Sequence, residues 1–241
     1  AAQWYRKAAK QGYSQAQFKL GDNYEKGLGI YQDNKKASKW YLLAAKQGHT
    51  EAQNSLGIMY IKGLGVGQDY KEALKWCRKA AKQEYLPAQY NLGTMYSKGL
   101  GTEQDYNKAI EWYRKSAERG YAQSQTILGL MYSKGQGVER NYKEAVKWYR
   151  RAANREYVKA QFNLGVMYSE GRGVEQNDKE AAKWCRKAAE GEHAPAQAML
   201  GFMYSKGQGV EQDNKEAIKW YRKAAGNGDD NAKEALAILG E

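Results

Sequence analysis

Hydrophobic residues recur along this chain on a helical period, and the whole pattern restarts every 36 residues. Over 14–26 the apolar positions Ala16, Leu20 and Tyr24 share one face of a 3.6-residue period. The stripe returns with a methionine added, as Ala52, Leu56, Met59 and Tyr60 and again as Ala88, Leu92, Met95 and Tyr96; in the opening repeat Asn23 takes the methionine position. A second stripe follows, Ala37, Trp40, Tyr41, Ala44 and Ala45, whose small alanines let helices approach closely. Between the stripes stands a Gly-x-Gly pair, Gly27 and Gly29 first and Gly207 and Gly209 last, which supplies left-handed geometry at a helix end. Next come Asp69 with Glu72, Asn141 with Glu144, Asn177 with Glu180 and Asp213 with Glu216, at the spacing of a reciprocal capping box. Pro87 and Pro195 fall in first turns, where a proline forfeits no internal hydrogen bond.

The seven tryptophans, Trp4, Trp40, Trp76, Trp112, Trp148, Trp184 and Trp220, hold the same register. Such self-similarity is the signature of a repeat array. It predicts an all-α solenoid of tandem helix-turn-helix repeats forming one domain over 1–241. Residues 1–12 read as the second helix of a partial repeat, 13–228 as six complete repeats and 229–241 as a truncated first helix. A chain that opens partway through a repeat points to lost upstream sequence. Gly21, Gly57, Gly93, Gly129, Gly165 and Gly201 sit inside the first helices, where glycine costs about 1 kcal/mol against alanine. Close approach by a neighbouring aromatic is the expected compensation.

The recurring string reads Ala88, Leu92, Gly93 and Tyr96, then Gly99 and Gly101, then Lys143, Glu144, Ala145, Trp148, Tyr149, Arg151, Ala152 and Ala153 in the second helix. It resembles the Sel1-like repeat family over essentially the whole chain. Departures are mild: Cys77 and Cys185 replace the usual tyrosine, and Ser116 replaces the first alanine of the pair. The cysteine pair in each repeat that marks a secreted subgroup is missing. The resemblance implies a right-handed, TPR-like superhelix and a scaffold that mediates protein assembly, with a bacterial source favoured.

In a solenoid, packing positions repeat and recognition positions vary. Opposite the buried stripe of the first helices stand Phe18, Asn54, Tyr90, Thr126, Phe162 and Ala198, and one turn on Asp22, Ile58, Thr94, Leu130, Val166 and Phe202. Their i,i+4 spacing puts each pair on one face, and stacking would join the pairs into a strip. First helices line the concave side in related folds, so an exposed, partly apolar strip would suit a bound protein or peptide. The competing expectation is that Ile58, Leu130, Val166 and Phe202 only pack against the next repeat.

Charge changes this picture little. The chain carries 39 basic and 27 acidic residues, a formal net charge of +12. Arg78 and Lys79, Arg114 and Lys115, Arg150 and Arg151, Arg186 and Lys187, and Arg222 and Lys223 form a ladder on the second helices, with Arg6 and Lys7 below it and Lys39, Lys75, Lys147, Lys183 and Lys219 as a second row. It offers an alternative function, the binding of anions or nucleic acid. The favoured reading is a solvated back whose long stems cover apolar neighbours. Nucleic acid is disfavoured as a partner because the periodicity puts most aromatics inside, away from any stacking platform.

Candidate chemistry is sparse. Cys77 and Cys185 lie three repeats apart and read as reduced core thiols; His49 and His193 occupy a turn position held elsewhere by Tyr13, Tyr85, Tyr121 and Tyr157. Gly63, Gly65 and Gly67 follow a helix, not the strand a dinucleotide fingerprint requires. The expectation is a non-enzyme without catalytic residues, metal or cofactor, and without a membrane span. Self-association through the incomplete terminal repeats is a further expectation. Free thiols suit a reducing compartment and are compatible with an oxidising one, so bacterial cytoplasmic and periplasmic or secreted locations both fit.

Overall fold

The computed structural model describes residues 2–239. Ala1, Gly240 and Glu241, which the sequence reading places in the terminal partial repeats, lie outside the described residues. The helices fall into two compact units, Ala1–Arg119 and Gly120–Glu241, which part at a repeat boundary. The first holds α1 (Ala2–Lys10), α2 (Ser14–Lys26), α3 (Asn34–Lys46), α4 (Thr50–Lys62), α5 (Tyr70–Lys82), α6 (Leu86–Lys98) and α7 (Tyr106–Glu118). The second holds α8 (Ala122–Lys134), α9 (Tyr142–Ala153), α10 (Val158–Glu170), α11 (Asp178–Glu190), α12 (Ala194–Lys206), α13 (Asn214–Gly226) and α14 (Asp230–Ile238). Even-numbered helices are the first of each pair and odd-numbered ones the second. Within each unit every helix packs on the next along the chain. The fold is an all-α tandem-repeat solenoid.

The helix bounds follow from local chemistry. First helices end where glycine takes the left-handed conformation, as at Gly63 (φ 68°), whose N–H donates to the Met59 carbonyl. Gly65 (φ 69°) has a second constraint: a Cβ there would run into the Asn34 carbonyl at the start of α3, so this loop can seat on the preceding repeat only as glycine.

Second helices start on an aspartate or asparagine, but the capping box is only half made. Asp69 accepts from the N–H groups of Lys71 and Glu72, and Asn141 and Asn177 accept from those of Glu144 and Glu180. The reciprocal bond from glutamate to the cap N–H does not form. The Asp69 N–H donates to the Tyr60 carbonyl, and those of Asn141, Asn177 and Asp213 to Tyr132, Tyr168 and Tyr204. An unmet carbonyl of the preceding helix end claims the donor first. The freed glutamates pair with lysines one turn on, Glu72 with Lys75 at 3.0 Å and Glu216 with Lys219 at 2.8 Å.

The core is a seam of alanine, leucine and methionine closed by the second-helix aromatics. Leu20, Leu56, Leu92, Leu128, Leu164 and Leu200 are fully or almost fully buried. Each internal glycine lies beneath the side chain that follows its repeat's tryptophan. A Cβ on Gly129 would stand 2.6 Å from the Tyr149 ring, and one on Gly93 2.9 Å from the Tyr113 ring. Where that tyrosine is a cysteine the approach persists: a Cβ on Gly57 would lie 2.5 Å from Cys77 Sγ. The expected compensation for helical glycine is therefore present. Trp76, Trp148, Trp184 and Trp220 are buried, Trp40 and Trp112 half-buried, and Trp4 is 73% exposed.

Gly129→Ala is expected to destabilise the protein by about 1–3 kcal/mol, overpacking against Tyr149 outweighing a propensity gain of about 1 kcal/mol. Gly67→Ala, which meets open space, serves as the control. Urea denaturation of both checks this, and a stabilised Gly129→Ala protein would show that the helices do not meet so closely.

Candidate functional site

The first-helix strip is less open than its sequence suggests. In the first unit Phe18, Asp22, Ile58, Tyr90 and Thr94 are half-buried and Asn54 is buried. In the second unit Leu130, Phe162, Val166 and Ala198 are half-buried, Thr126 is buried, and only Phe202, at 48%, is exposed. The expectation of an exposed strip is corrected by tertiary packing against neighbouring elements, which covers flanks that a lone helix would leave in water. Asn54 accepts from the Asn91 amide of the next repeat at 2.9 Å, and Thr126 turns its hydroxyl onto the Ala122 carbonyl at 2.8 Å. Elsewhere strip side chains engage the repeat edges: Phe18 stacks on His49 at 4.7 Å, Phe162 faces His193 at 4.9 Å, and Thr94 accepts from the Tyr113 hydroxyl at 3.0 Å. Asp22 pairs with Lys26.

The basic ladder is woven into the packing. Arg6, Arg78, Arg150 and Arg186 each donate to the tyrosine hydroxyl of the following helix, Tyr24, Tyr96, Tyr168 and Tyr204, at 2.6–2.9 Å. The next residue lies over the tryptophan of its own helix. Lys79 stands 4.5 Å from the Trp76 ring centre, Lys115 4.3 Å from Trp112, Arg151 4.7 Å from Trp148 and Lys223 4.4 Å from Trp220. These cation–π contacts cover faces that would otherwise meet water. In the second lysine row Lys75, Lys147, Lys183 and Lys219 are held by the glutamates one turn back, Lys147 by Glu144 and Lys183 by Glu180, whereas Lys39 has Lys36 in that place.

A polar feature of the interior escaped the sequence reading. Gln17, Gln53, Gln89, Gln125, Gln161 and Gln197 are all buried. Gln17, Gln53, Gln89, Gln161 and Gln197 donate their amides to the carbonyls of Ala9, Ala45, Ala81, Ala153 and Ala189 near the end of the preceding second helix. The outward oxygens of three accept from an amide thirty residues on: Gln17 from Gln47, Gln53 from Gln83 and Gln197 from Asn227, at 2.7, 2.8 and 3.0 Å. A glutamine in the same register of every complete repeat was the available signal. Three neighbouring turns hold a further surprise: Glu84, Glu156 and Glu192 adopt φ of about +60°, where Gly12, Gly48, Gly120 and Gly228 stand in the other repeats. A left-handed non-glycine costs about 1–2 kcal/mol. At Glu84 the turn is clamped by Arg119, which reaches both its carbonyl and its carboxylate.

The thiols and imidazoles show no catalytic arrangement. Burial pushes Cys77 and Cys185 up to about 12, and both are free thiols. Burial lowers the pKa of His49 and His193, which sit at N-cap positions against aromatic rings. Among the described residues, no group of three His, Cys, Asp or Glu side chains could hold a metal ion, and no helix is long and apolar enough to cross a membrane.

The Sel1 repeat family model matches residues 1–13, 14–49, 50–85, 86–121, 122–157, 158–193 and 194–229. Its register starts each repeat one residue after the N-cap tyrosine or histidine. No curated protein sequence matches the chain. Among solved structures, a protective antigen of uropathogenic Escherichia coli with an SLR fold is 37% identical with a TM-score of 0.91, covering 99% of this chain and 51% of its own. The chain thus spans about half the length of that antigen. A Sel1 repeat protein from Oxalobacter formigenes is 36% identical with a TM-score of 0.85, covering 89% of this chain and 88% of its own. A putative Sel1 repeat protein from Klebsiella pneumoniae, 22% identical with a TM-score of 0.55 and covering 85% of this chain and 99% of its own, shares the fold.

The thiol environment has a direct check. At about pH 8 the thiolate fraction of a group titrating near 12 is about one in ten thousand. Cys77 and Cys185 are expected to resist a disulfide-exchange reagent such as Ellman's in the folded protein and to react fully in guanidinium. Fast reaction of the folded protein would show that the glycine slots open readily.

Proposed function

Because the chain belongs to the Sel1 repeat family, we propose that it is a non-catalytic scaffold that binds a protein or peptide along the face lined by its first helices. In helix-pair solenoids generally this is the concave side. The observation that carries the reading is the contrast between a frame repeated residue for residue and a strip that changes from repeat to repeat, apolar at Val166 and Phe202 and polar at Asp22 and Thr94. Half-buried side chains on a rigid frame lose little entropy on binding, so modest contacts summed over several repeats suffice. Phe202 is the most open apolar group of the strip and the natural anchor in the second unit.

The alternative, an anion or nucleic-acid surface on the ladder, is disfavoured by the engagement of its side chains. Arginines committed to tyrosine hydroxyls and lysines lying over tryptophans would have to give up those contacts to neutralise phosphates.

Affinity capture from bacterial extract, with wild type and a Val166→Ser/Phe202→Ser variant that keeps its circular dichroism, tests this reading. At about 500 mM as at about 150 mM salt, wild type should retain a protein partner that the variant loses. Capture that collapses with salt and ignores the variant would move the working surface to the basic ladder.

A further inference from the structure

The buried glutamines form a series in which the chain itself shows what fits. The Gln89 amide donates to the Ala81 carbonyl, as the amides of Gln17, Gln53, Gln161 and Gln197 do to its equivalents, so the remaining side-chain atom is the oxygen, an acceptor. At Gln17, Gln53 and Gln197 that acceptor receives a carboxamide N–H from Gln47, Gln83 or Asn227. At Gln89 the residue in that place is Arg119, whose guanidinium instead clamps the Glu84 turn. The Gln89 side-chain oxygen is left without a partner, on a residue only 4% exposed. A cavity of about 600 Å³ opens there, lined by Gln89, Ala81 and Trp112 with Lys82, Lys115, Glu84, Glu118 and Arg119 around them. In the second unit Gly191, which has no side chain to offer, stands in the same place, and a cavity of about 470 Å³ opens beside Gln161. Both cavities thus occur where the closing carboxamide is missing.

We infer that the Gln89 cavity is a recognition pocket for an uncharged carboxamide side chain, the asparagine or glutamine of a peptide partner. The ligand takes the place that Gln47, Gln83 and Asn227 fill in the other repeats and donates its N–H to the Gln89 oxygen. Its stem lies against Ala81 and the half-buried Trp112. The charge of the lining selects against the rivals. A carboxylate could meet Lys82 or Lys115 but has no proton for the buried acceptor. An ammonium or guanidinium would face three cations, Lys82, Lys115 and Arg119, against Glu84, already bound by Arg119, and Glu118. An unpaired buried acceptor is unfavourable, and a fitting donor relieves it. None of the strip residues lines this cavity, so the inference stands apart from the first-helix reading.

The test is a titration of the ¹⁵N-labelled full chain with three end-blocked tripeptides, Gly-Gln-Gly, Gly-Glu-Gly and Gly-Lys-Gly, following the Gln89 side-chain amide and the Trp112 indole by NMR. The glutamine peptide should give saturable shifts at both and the other two none. Arg119→Gln restores the amide that closes the other repeats and should weaken binding by about tenfold or more, as should Gln89→Met, which removes the acceptor while keeping the volume. The pocket assignment is overturned if the glutamine peptide gives no saturable shift, if the lysine or glutamate peptide matches it, or if either variant binds as wild type does.

Discussion

In each complete repeat the first helix meets the second across a glycine, and the Tyr or Cys that follows the tryptophan lies directly on that backbone. Gly21 beneath Tyr41, Gly93 beneath Tyr113 and Gly165 beneath Cys185 are the same contact, with a hypothetical Cβ 2.7–2.9 Å from the covering side chain. Most else follows from this closeness. The alanines beside the seam, such as Ala37, Ala44 and Ala52, are fully buried because nothing larger fits between helices so near to each other. The tryptophans are displaced to the joint between repeats, where basic stems cover them. A helical glycine, unfavourable in isolation, is the condition for a dense interior in a chain with little phenylalanine.

Between repeats the contacts are of another kind. Arginines on second helices bond the tyrosine hydroxyls of the next helix, and buried glutamines bind the end of the preceding helix. These directional bonds set the register of one repeat on another, while the apolar seam, which runs on from Ala44 and Ala45 to Ala52, Leu56 and Trp76 across the repeat boundary, supplies non-directional cohesion.

Variation on such a frame changes exposed chemistry without changing the fold. Where position 83 holds Gln and position 119 holds Arg, the helices keep their places, but a closed interior contact in one repeat becomes an open cavity in the next. The step from Asp22 in one repeat to Phe202 in another alters what a partner would meet, while Leu20 and Leu200 on the same helices stay buried. A frame of this kind suits a scaffold, because no single core has to be rebuilt when one repeat acquires a new surface.

The helices, their bounds and their pairing were determined by the sequence itself. Periodicity, glycine stops and Asp or Asn starts act over a few residues, and Ser14–Lys26 forms the helix its pattern predicts. The family resemblance was legible for the same reason, since the repeated string is local and recurs in register. Tertiary structure alone decided which flanks are wet. Asn54 lies inside, accepting from Asn91 of the next first helix, Thr126 lies inside with its hydroxyl on the Ala122 carbonyl, and Asp69 gives its N–H to Tyr60 and not to Glu72. Glu84 is held left-handed by Arg119 of the next repeat, and Arg78 reaches Tyr96 when its sequence neighbours suggest solvent. A helix is closed by hydrogen bonds about four residues apart and can be read along the chain, but burial at its sides is set by groups a whole repeat away, whose approach exists only once the repeats are stacked.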